Sequence, residues 1–347
     1  MDRPWKPRIV LATPSALARP AGRLMAERAV AMGAALVALK ADRLTGLPEA
    51  YRDAKTTMAI VTASASRRRL QPIPPSADWR FDLAEGCPAH CSYCYLAGSL
   101  AGPPIIRVYA NLDEILAELP AAVGHGGVTS VSAARADEGT TFECSCYTDP
   151  LAIEHLTGSL AACITHFGAW RAPVQLRFTT KFAAVEPLLG LAHGGRTRIR
   201  FSVNARAAER HEGGAPRMAA RLRALRAVAG AGYPVGLTVA PILRVPDWQD
   251  AYDRLFAEVA DAVADVPGID MTAELITHRF TPKSKDVLAE WYPGSGLEMD
   301  EAARARKFTK FGSVKYVFTK KQMGEMRAGI EGALRRRLPG VRVLYWT

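Results

Sequence analysis

The chain has 347 residues, 49% hydrophobic and 23% charged, which is the composition of a folded protein with one large domain and appendages, or with two domains. That balance excludes a disordered, collagenous or coiled-coil chain, and no stretch approaches the roughly 18 uncharged apolar residues a membrane span needs. Lys and Arg outnumber Asp and Glu by 45 to 34, a net charge of +11 that favours a polyanionic partner, although the Arg-rich, Asn-poor usage also fits a GC-rich genome.

The N-terminal stretch lacks the long apolar core of a signal peptide, which predicts a cytoplasmic protein. The first 75 residues read as a small α/β unit. It has a strand at Arg8–Ala12, a helix near Arg23–Met32, and strands near Ala35–Lys40 and Thr57–Thr62. The loop Gln71-Pro72-Ile73-Pro74-Pro75 marks its boundary. Six strand-like segments follow at Trp79–Leu83, Thr140–Tyr147, Val174–Lys181, Thr197–Ala205, Val235–Leu243 and Ile269–Thr277. Between them lie amphipathic stretches at Leu112–Val123, Ile153–Trp170, Val185–Ala192, Arg217–Ala231 and Trp248–Val263. The last puts Tyr252, Leu255, Phe256, Val259 and Val263 on one face. Six strands with helical crossovers predict a parallel sheet curled into a partial or complete barrel, with its chemistry at the C-terminal strand ends. From about Pro282 the pattern changes to mixed charge runs, a strand at Lys315–Thr319, a helix at Met323–Leu338 and a strand at Val341–Tyr345. The fold class is therefore α/β, divided as 1–75, 76–281 and 282–347.

Six cysteines stand at 87, 91, 94, 144, 146 and 163. In a cytoplasmic chain of this size, clustered cysteines point to a metal site or to catalysis rather than to disulfides. Cys87-Pro-Ala-His-Cys91-Ser-Tyr-Cys94 follows the first barrel strand directly. Three thiolates on one tight loop can hold three corners of a 4Fe-4S cluster and leave the fourth iron open. The alternative is zinc, which wants four ligands; His90 is the candidate fourth, but it lies inside the loop, where reaching a shared metal is strained.

This spacing after the first strand of a βα repeat resembles the radical S-adenosylmethionine superfamily. In that superfamily the open iron binds S-adenosyl-L-methionine, and the reduced cluster cleaves it to a 5′-deoxyadenosyl radical. A closer resemblance extends along nearly the whole chain. It is carried by Tyr51-Arg52-Asp53-Ala54-Lys55-Thr56-Thr57, by the triplet followed by Tyr95-Leu96, and by Ile106-Arg107-Val108-Tyr109-Ala110-Asn111. Phe142-Glu143-Cys144-Ser145-Cys146, Phe178-Thr179-Thr180-Lys181-Phe182, Arg200-Phe201-Ser202-Val203-Asn204 and Glu274-Leu275-Ile276-Thr277-His278-Arg279-Phe280 continue it. These segments are similar to the spore photoproduct lyase family.

The resemblance implies a partial (β/α)6 radical SAM barrel and light-independent DNA repair of spore photoproduct, a methylene-bridged thymine dimer. Its cofactors would be a 4Fe-4S cluster on Cys87, Cys91 and Cys94, and S-adenosyl-L-methionine held by Lys181, Ser202, Thr148 and Tyr95. Cys146 matches the family's hydrogen-atom donor, and Tyr93 and Tyr95 match tyrosines that relay the radical. Cys144, two residues from Cys146, is expected to face the same side of the strand. Cys163 falls in a helical pattern and reads as core. Two departures bear on the substrate. The family has Cys-Thr-Ser-Asp where this chain has Cys146-Tyr147-Thr148-Asp149. It has Gly-Arg-Tyr-Gly, in a hairpin at the lesion, where this chain has Thr309-Lys310-Phe311-Gly312. Tyr147, Lys310 and Phe311 are thus the expected substrate contacts. Lys283, Lys285, Arg304, Arg306, Lys307 and Lys315, interleaved with aromatics, suit a nucleic-acid backbone. The Arg67–Arg69 and Arg335–Arg337 runs read as surface charge. Expected partners are damaged DNA and a reducing electron donor such as a flavodoxin or ferredoxin, with the protein a monomer. Two alternatives stand beside this reading. One is a radical enzyme on the same scaffold acting on another nucleic-acid lesion or substrate. The other is a non-enzymatic, zinc-stabilised nucleic-acid-binding protein.

Overall fold

The computed structural model describes residues 4–100, 102–129, 132–308, 312 and 314–347. In chain order the strands begin with β1 (Ile9–Ala12), β2 (Ala35–Ala38), β3 (Thr57–Val61), β4 (Gln71–Ile73), β5 (Ala77–Phe81) and β6 (Ala84–Glu85). They continue with β7 (His90–Cys91), β8 (Ile106–Tyr109), β9 (Thr140–Cys144), β10 (Val174–Thr180), β11 (Thr197–Val203) and β12 (Glu212–Gly213). The last five are β13 (Val235–Ile242), β14 (Met271–Thr277), β15 (Ala305–Phe308), β16 (Val314–Val317) and β17 (Arg342–Trp346).

Two compact units result. The first comprises residues 1–88, 102–199 and 231–233; the second comprises 89–101, 200–230 and 234–347. In the first, one sheet runs β2-β1-β3-β8-β6, with β1, β2, β3 and β8 parallel and β6 antiparallel to β8. Val10, Met58, Ile60, Ile106 and Val108 from the strands and Met25 from the Pro20–Ala31 helix form its core. The larger sheet runs β17-β14-β13-β11-β10-β9-β5-β4, and the division between units falls within β11.

All six predicted barrel strands are present, each within about two residues of its expected start, and β5–β9, β9–β10 and β13–β14 pair in parallel. Three expectations are corrected. The Gln71–Pro75 segment is no free linker: Gln71–Ile73 pairs antiparallel with β5 as an edge strand, where proline is tolerated. The helix expected at Val185–Ala192 is a single 3-10 turn at Glu186–Leu188, with Pro187 in that turn. The helix expected across Ile153–Trp170 breaks at Gly158, whose φ of +66° ends Glu154–Thr157 before Ser159–Ala169 begins. By contrast, Tyr252, Leu255, Phe256, Val259 and Val263 are all buried on one face, as expected. The Arg335–Arg337 run is exposed, as expected, and Arg336 and Arg337 pair with Asp253.

Within the second unit, β11 and β14, the two strands that flank β13, bury an ion pair. Arg200 Nη1 lies 2.7 and 2.6 Å from the two Glu274 oxygens, and Tyr345 donates its hydroxyl to Glu274 Oε2 at 3.1 Å. Both charged side chains are 2% exposed, so removing one leaves an uncompensated buried charge. Glu274→Ala is expected to lower the unfolding free energy by about 3–5 kcal/mol in urea titrations at neutral pH. A loss below about 1 kcal/mol would show that the pair is energetically neutral.

Candidate active site

The chain leaves β5 and β6 through Gly86, whose φ is +84° and where a Cβ would stand 2.1 Å from the Ile105 carbonyl oxygen. Only glycine allows that turn, and its N–H donates to the Tyr147 carbonyl at 2.8 Å. Cys87 follows at once, and the buried Lys55 ammonium donates to its carbonyl. Lys55 belongs to the Tyr51–Thr57 segment, so that segment has a physical task at the mouth of the cysteine loop.

In the second unit the loop becomes β7, which pairs antiparallel with β12, Cys91 opposite Glu212 and His90 opposite Gly213. The glycine pair Gly213-Gly214 permits the approach, since a Cβ on Gly214 would meet the His90 ring at 3.0 Å. Ser92 donates its N–H to the His211 carbonyl at 2.9 Å, and its hydroxyl lies 2.9 Å from His211 Nδ1. Cys94 N–H closes a turn onto the Cys91 carbonyl at 3.1 Å. The Tyr93 hydroxyl donates to Glu212, whose carboxylate is ion-paired to Arg221. Arg221 in turn donates to the Ser202 carbonyl at 3.1 Å. Burial, reinforced by the Glu212 carboxylate, raises the Tyr93 phenol far above its ordinary value, so it stays protonated. Tyr95, two residues on, is 66% exposed.

None of the six cysteines is in a disulfide. Among the described residues no three His, Cys, Asp or Glu side chains converge as ligands of one metal ion would. A four-iron cluster takes one thiolate per iron, and three thiols on one clamped loop fit that requirement.

The Cys146 corner lies wholly in the first unit. β9 stops at Cys144, and Ser145 adopts φ +63°, a left-handed conformation uncommon for a non-glycine residue. Ser145 N–H donates to the Phe81 carbonyl at 2.8 Å, and its hydroxyl accepts the Leu83 N–H at 3.0 Å. This turn overturns the expectation that Cys144 and Cys146 share a face, because the strand alternation ends between them. Cys144 is 1% exposed and lies beside Cys163, which is fully buried, and burial pushes the Cys144 thiol up. Cys146 is half-buried.

Lys181 directly follows β10, Ser202 lies within β11, and Thr148 stands four residues past the end of β9. The Asp149 carboxylate accepts the Thr180 hydroxyl at 2.8 Å, the Lys181 N–H at 2.7 Å and the Ala152 N–H at 3.3 Å. It thereby ties the segment after β10 to the segment after β9. Thr148 Oγ1 is buried and has no hydrogen-bond partner among the described residues. Ser202 Oγ donates to the Ala240 carbonyl at 3.4 Å.

Burial pushes Asp149 up to about 6 against its hydrogen bonds. Because this exceeds the ordinary value of 3.8, folding takes up a proton between the two. The stabilisation is complete below pH 3.8 and is lost as pH rises through about 6. In urea titrations from pH 5 to pH 8, the stability difference between wild type and Asp149→Asn is expected to move in favour of the variant by roughly 1–1.5 kcal/mol. A difference independent of pH would refute the assignment.

β15 and β16 form the antiparallel hairpin expected near the C-terminus, with Arg306, Lys307 and Phe308 exposed and Phe308 at 66%. Lys310 and Phe311 lie outside the described residues. Arg304 is corrected: it is 8% exposed, lies 3.8 Å over the Phe318 ring and donates to the His278 carbonyl at 3.1 Å, so it belongs to the interior. Glu212, Arg221 and Asp149 were missed in the sequence as site residues. Only the Gly213-Gly214 pair offered a signal, that of close backbone approach.

A mixed α/β fold with a curled half-barrel sheet, a clamped three-cysteine loop and polar groups at the strand ends define the class as a radical S-adenosylmethionine enzyme. The family model for spore photoproduct lyase matches residues 5–347. A spore photoproduct lyase from Geobacillus sp. (strain Y412MC61) is 38% identical, over 99% of this chain and 100% of its own. One from Bacillus subtilis (strain 168) is 34% identical over 100% of both chains. Among solved structures, a spore photoproduct lyase double mutant with bound AdoMet and dinucleoside spore photoproduct superposes with a TM-score of 0.91 at 36% identity, covering 99% of this chain and 100% of that one. A spore photoproduct lyase complexed with dinucleoside spore photoproduct gives 0.90 at 37% identity over the same shares. The chain belongs to the spore photoproduct lyase family. No helix among the described residues is long and apolar enough to cross a membrane.

Proposed function

We propose that this chain is a DNA repair lyase that reverts spore photoproduct to two thymines. The observation that carries the reading is agreement over 99% of the chain with a solved lyase holding AdoMet and the lesion dinucleoside. Cys87, Cys91 and Cys94 would hold the four-iron cluster. Lys181, Ser202, Thr148 and Tyr95 would receive S-adenosylmethionine, and the unpartnered Thr148 hydroxyl supports that placement. When bound, these groups supply one-electron cleavage and hydrogen-atom abstraction, which no side chain can perform.

The chain's own residues do the rest. The Cys146 thiol would give a hydrogen atom to the thymine methyl carbon once the methylene bridge has opened. Tyr93 and Tyr95 would return the system to its starting state, with Glu212 orienting the Tyr93 hydroxyl. Tyr147, Lys310 and Phe311 would contact the lesion. Turning a duplex lesion out of the stack costs a few kcal/mol, and Arg306, Lys307, Lys283 and Lys315 would offset it through phosphates. With about five phosphates contacted, log K should fall against log salt with a slope near −4 to −5 in fluorescence anisotropy titrations. A slope shallower than about −2 would remove the hairpin from the interface. The electron donor would be a flavodoxin or ferredoxin, and the protein a cytoplasmic monomer.

The test is anaerobic reconstitution with iron and sulfide, then addition of S-adenosylmethionine, a strong reductant and lesion-bearing DNA, with thymine followed by chromatography. Recovered thymine is the expected result. Deoxyadenosine without thymine would favour the second reading, a different lesion on the same scaffold, for which Tyr147 beside Cys146 is the specific reason. Neither product from a fully loaded cluster would overturn both.

A further inference from the structure

The corner that carries Cys146 is gripped by two residues of the neighbouring strand and its exit. Asp82, one residue beyond β5, lies between the two residues that hold Ser145, the Phe81 carbonyl at 2.8 Å and the Leu83 N–H at 3.0 Å. Its Oδ1 is buried without a hydrogen-bond partner among the described residues, and the backbone N–H groups of Cys146 and Tyr147 hold its carboxyl down against burial. Successive N–H groups beside a left-handed residue form a concave nest for an anion, and Ser145 supplies that conformation. Arg80, two residues earlier, sits with its guanidinium 4.5 Å from the centre of the Tyr147 ring and 3.9 Å from the Asp82 carboxylate. The two side chains are 17% and 15% exposed, so neither is a solvated surface group. Tyr147 is where the family pattern has a small Thr. The stack on Arg80 is therefore tied to this chain's own departure from that pattern.

We propose that Asp82 and Arg80 are positioning residues for the Cys146 thiol, Asp82 through the backbone of the Cys146–Tyr147 corner and Arg80 through the Tyr147 ring. The inference rests on Cys146 being the hydrogen donor. Delivery of a hydrogen atom from sulfur to carbon depends steeply on distance, and a displacement of about 1 Å can cost 100-fold in rate. A loosened corner therefore leaves the opened lesion to other hydrogen sources. The fault appears in the products rather than in lesion opening, which precedes the thiol step.

The experiment compares reconstituted wild type with Asp82→Ala, Asp82→Asn, Arg80→Met and Cys146→Ala on lesion DNA. Thymine and diverted products are quantified per lesion consumed, and amide hydrogen exchange is measured on the unloaded proteins. For Asp82→Ala and Arg80→Met the diverted fraction is expected to rise about ten-fold or more. Exchange at the Cys146 and Tyr147 amides should quicken at least ten-fold in Asp82→Ala alone. Asp82→Asn, which keeps one acceptor oxygen, should fall between it and wild type, and it carries the comparison if the alanine variant does not fold. Wild-type product ratios in the Asp82 and Arg80 variants, with an altered ratio in Cys146→Ala, would overturn the positioning role alone. An unchanged ratio in Cys146→Ala would overturn the donor reading itself. Unchanged amide protection in Asp82→Ala would overturn the nest whatever the products.

Discussion

Replacing Glu212 with alanine is expected to lower the unfolding free energy by about 3–5 kcal/mol and to cost the protein most of its iron. Arg221 is 1% exposed, and its guanidinium is ion-paired to Glu212, so truncation strands a buried cation. The same truncation removes the acceptor of the Tyr93 hydroxyl, in the middle of the cysteine loop. Two costs therefore fall on one segment: an uncompensated charge and an unsatisfied phenol. Glu212→Gln keeps an oxygen for Tyr93 and loses only the charge, so it should retain more iron than Glu212→Ala at a similar loss of stability. Urea denaturation of the unloaded protein and iron per chain after reconstitution measure the two effects. Full iron content with a loss below 1 kcal/mol would show that β12 does not clamp the loop.

The second large effect concerns Cys146→Ala. Alanine has no hydrogen that a carbon radical can take at low cost, so the opened lesion must find another source. Deoxyadenosine is still expected, because its formation precedes the thiol step, but thymine recovery should fall by about ten-fold or more, with other thymine-derived products in its place. The Cys146 thiol is half-buried, whereas Cys144 and Cys163 are buried, so neither is expected to substitute. Cys144→Ala is accordingly a packing control: it should cost stability, as large-to-small changes in a core do, and leave the product ratio alone. Normal thymine recovery from Cys146→Ala would assign the donor elsewhere.

The barrel strands were legible because each is a short β-branched or aromatic run bounded by turn residues, and because six in succession leave few topologies. The cysteine loop was legible because its donors are adjacent in the chain. What escaped were residues whose meaning lies in partners far along the chain. Glu212 and Arg221 look like ordinary helix-flanking charges, and only folding brings Glu212 to Cys91. Asp82 and Arg80 follow the same rule: their task is set by a corner more than sixty residues later, as the Leu83-to-Ser145 separation of 62 illustrates. The mistaken facing of Cys144 has a different origin. Period-two alternation assumes an unbroken strand, and a left-handed serine carries no composition signal.

The pairing of the cysteine loop with β12 also has a meaning in time. Ser92 and His211 are 119 residues apart, so the strand that clamps the loop leaves the ribosome well after the cysteines do. At about 5–20 residues per second the lag is roughly 6 to 24 seconds. Throughout that interval the nascent chain exposes three thiols without their scaffold. Iron–sulfur loading is therefore expected to follow synthesis of the second half of the chain, and oxidants met on the ribosome threaten this protein more than oxidants met after release.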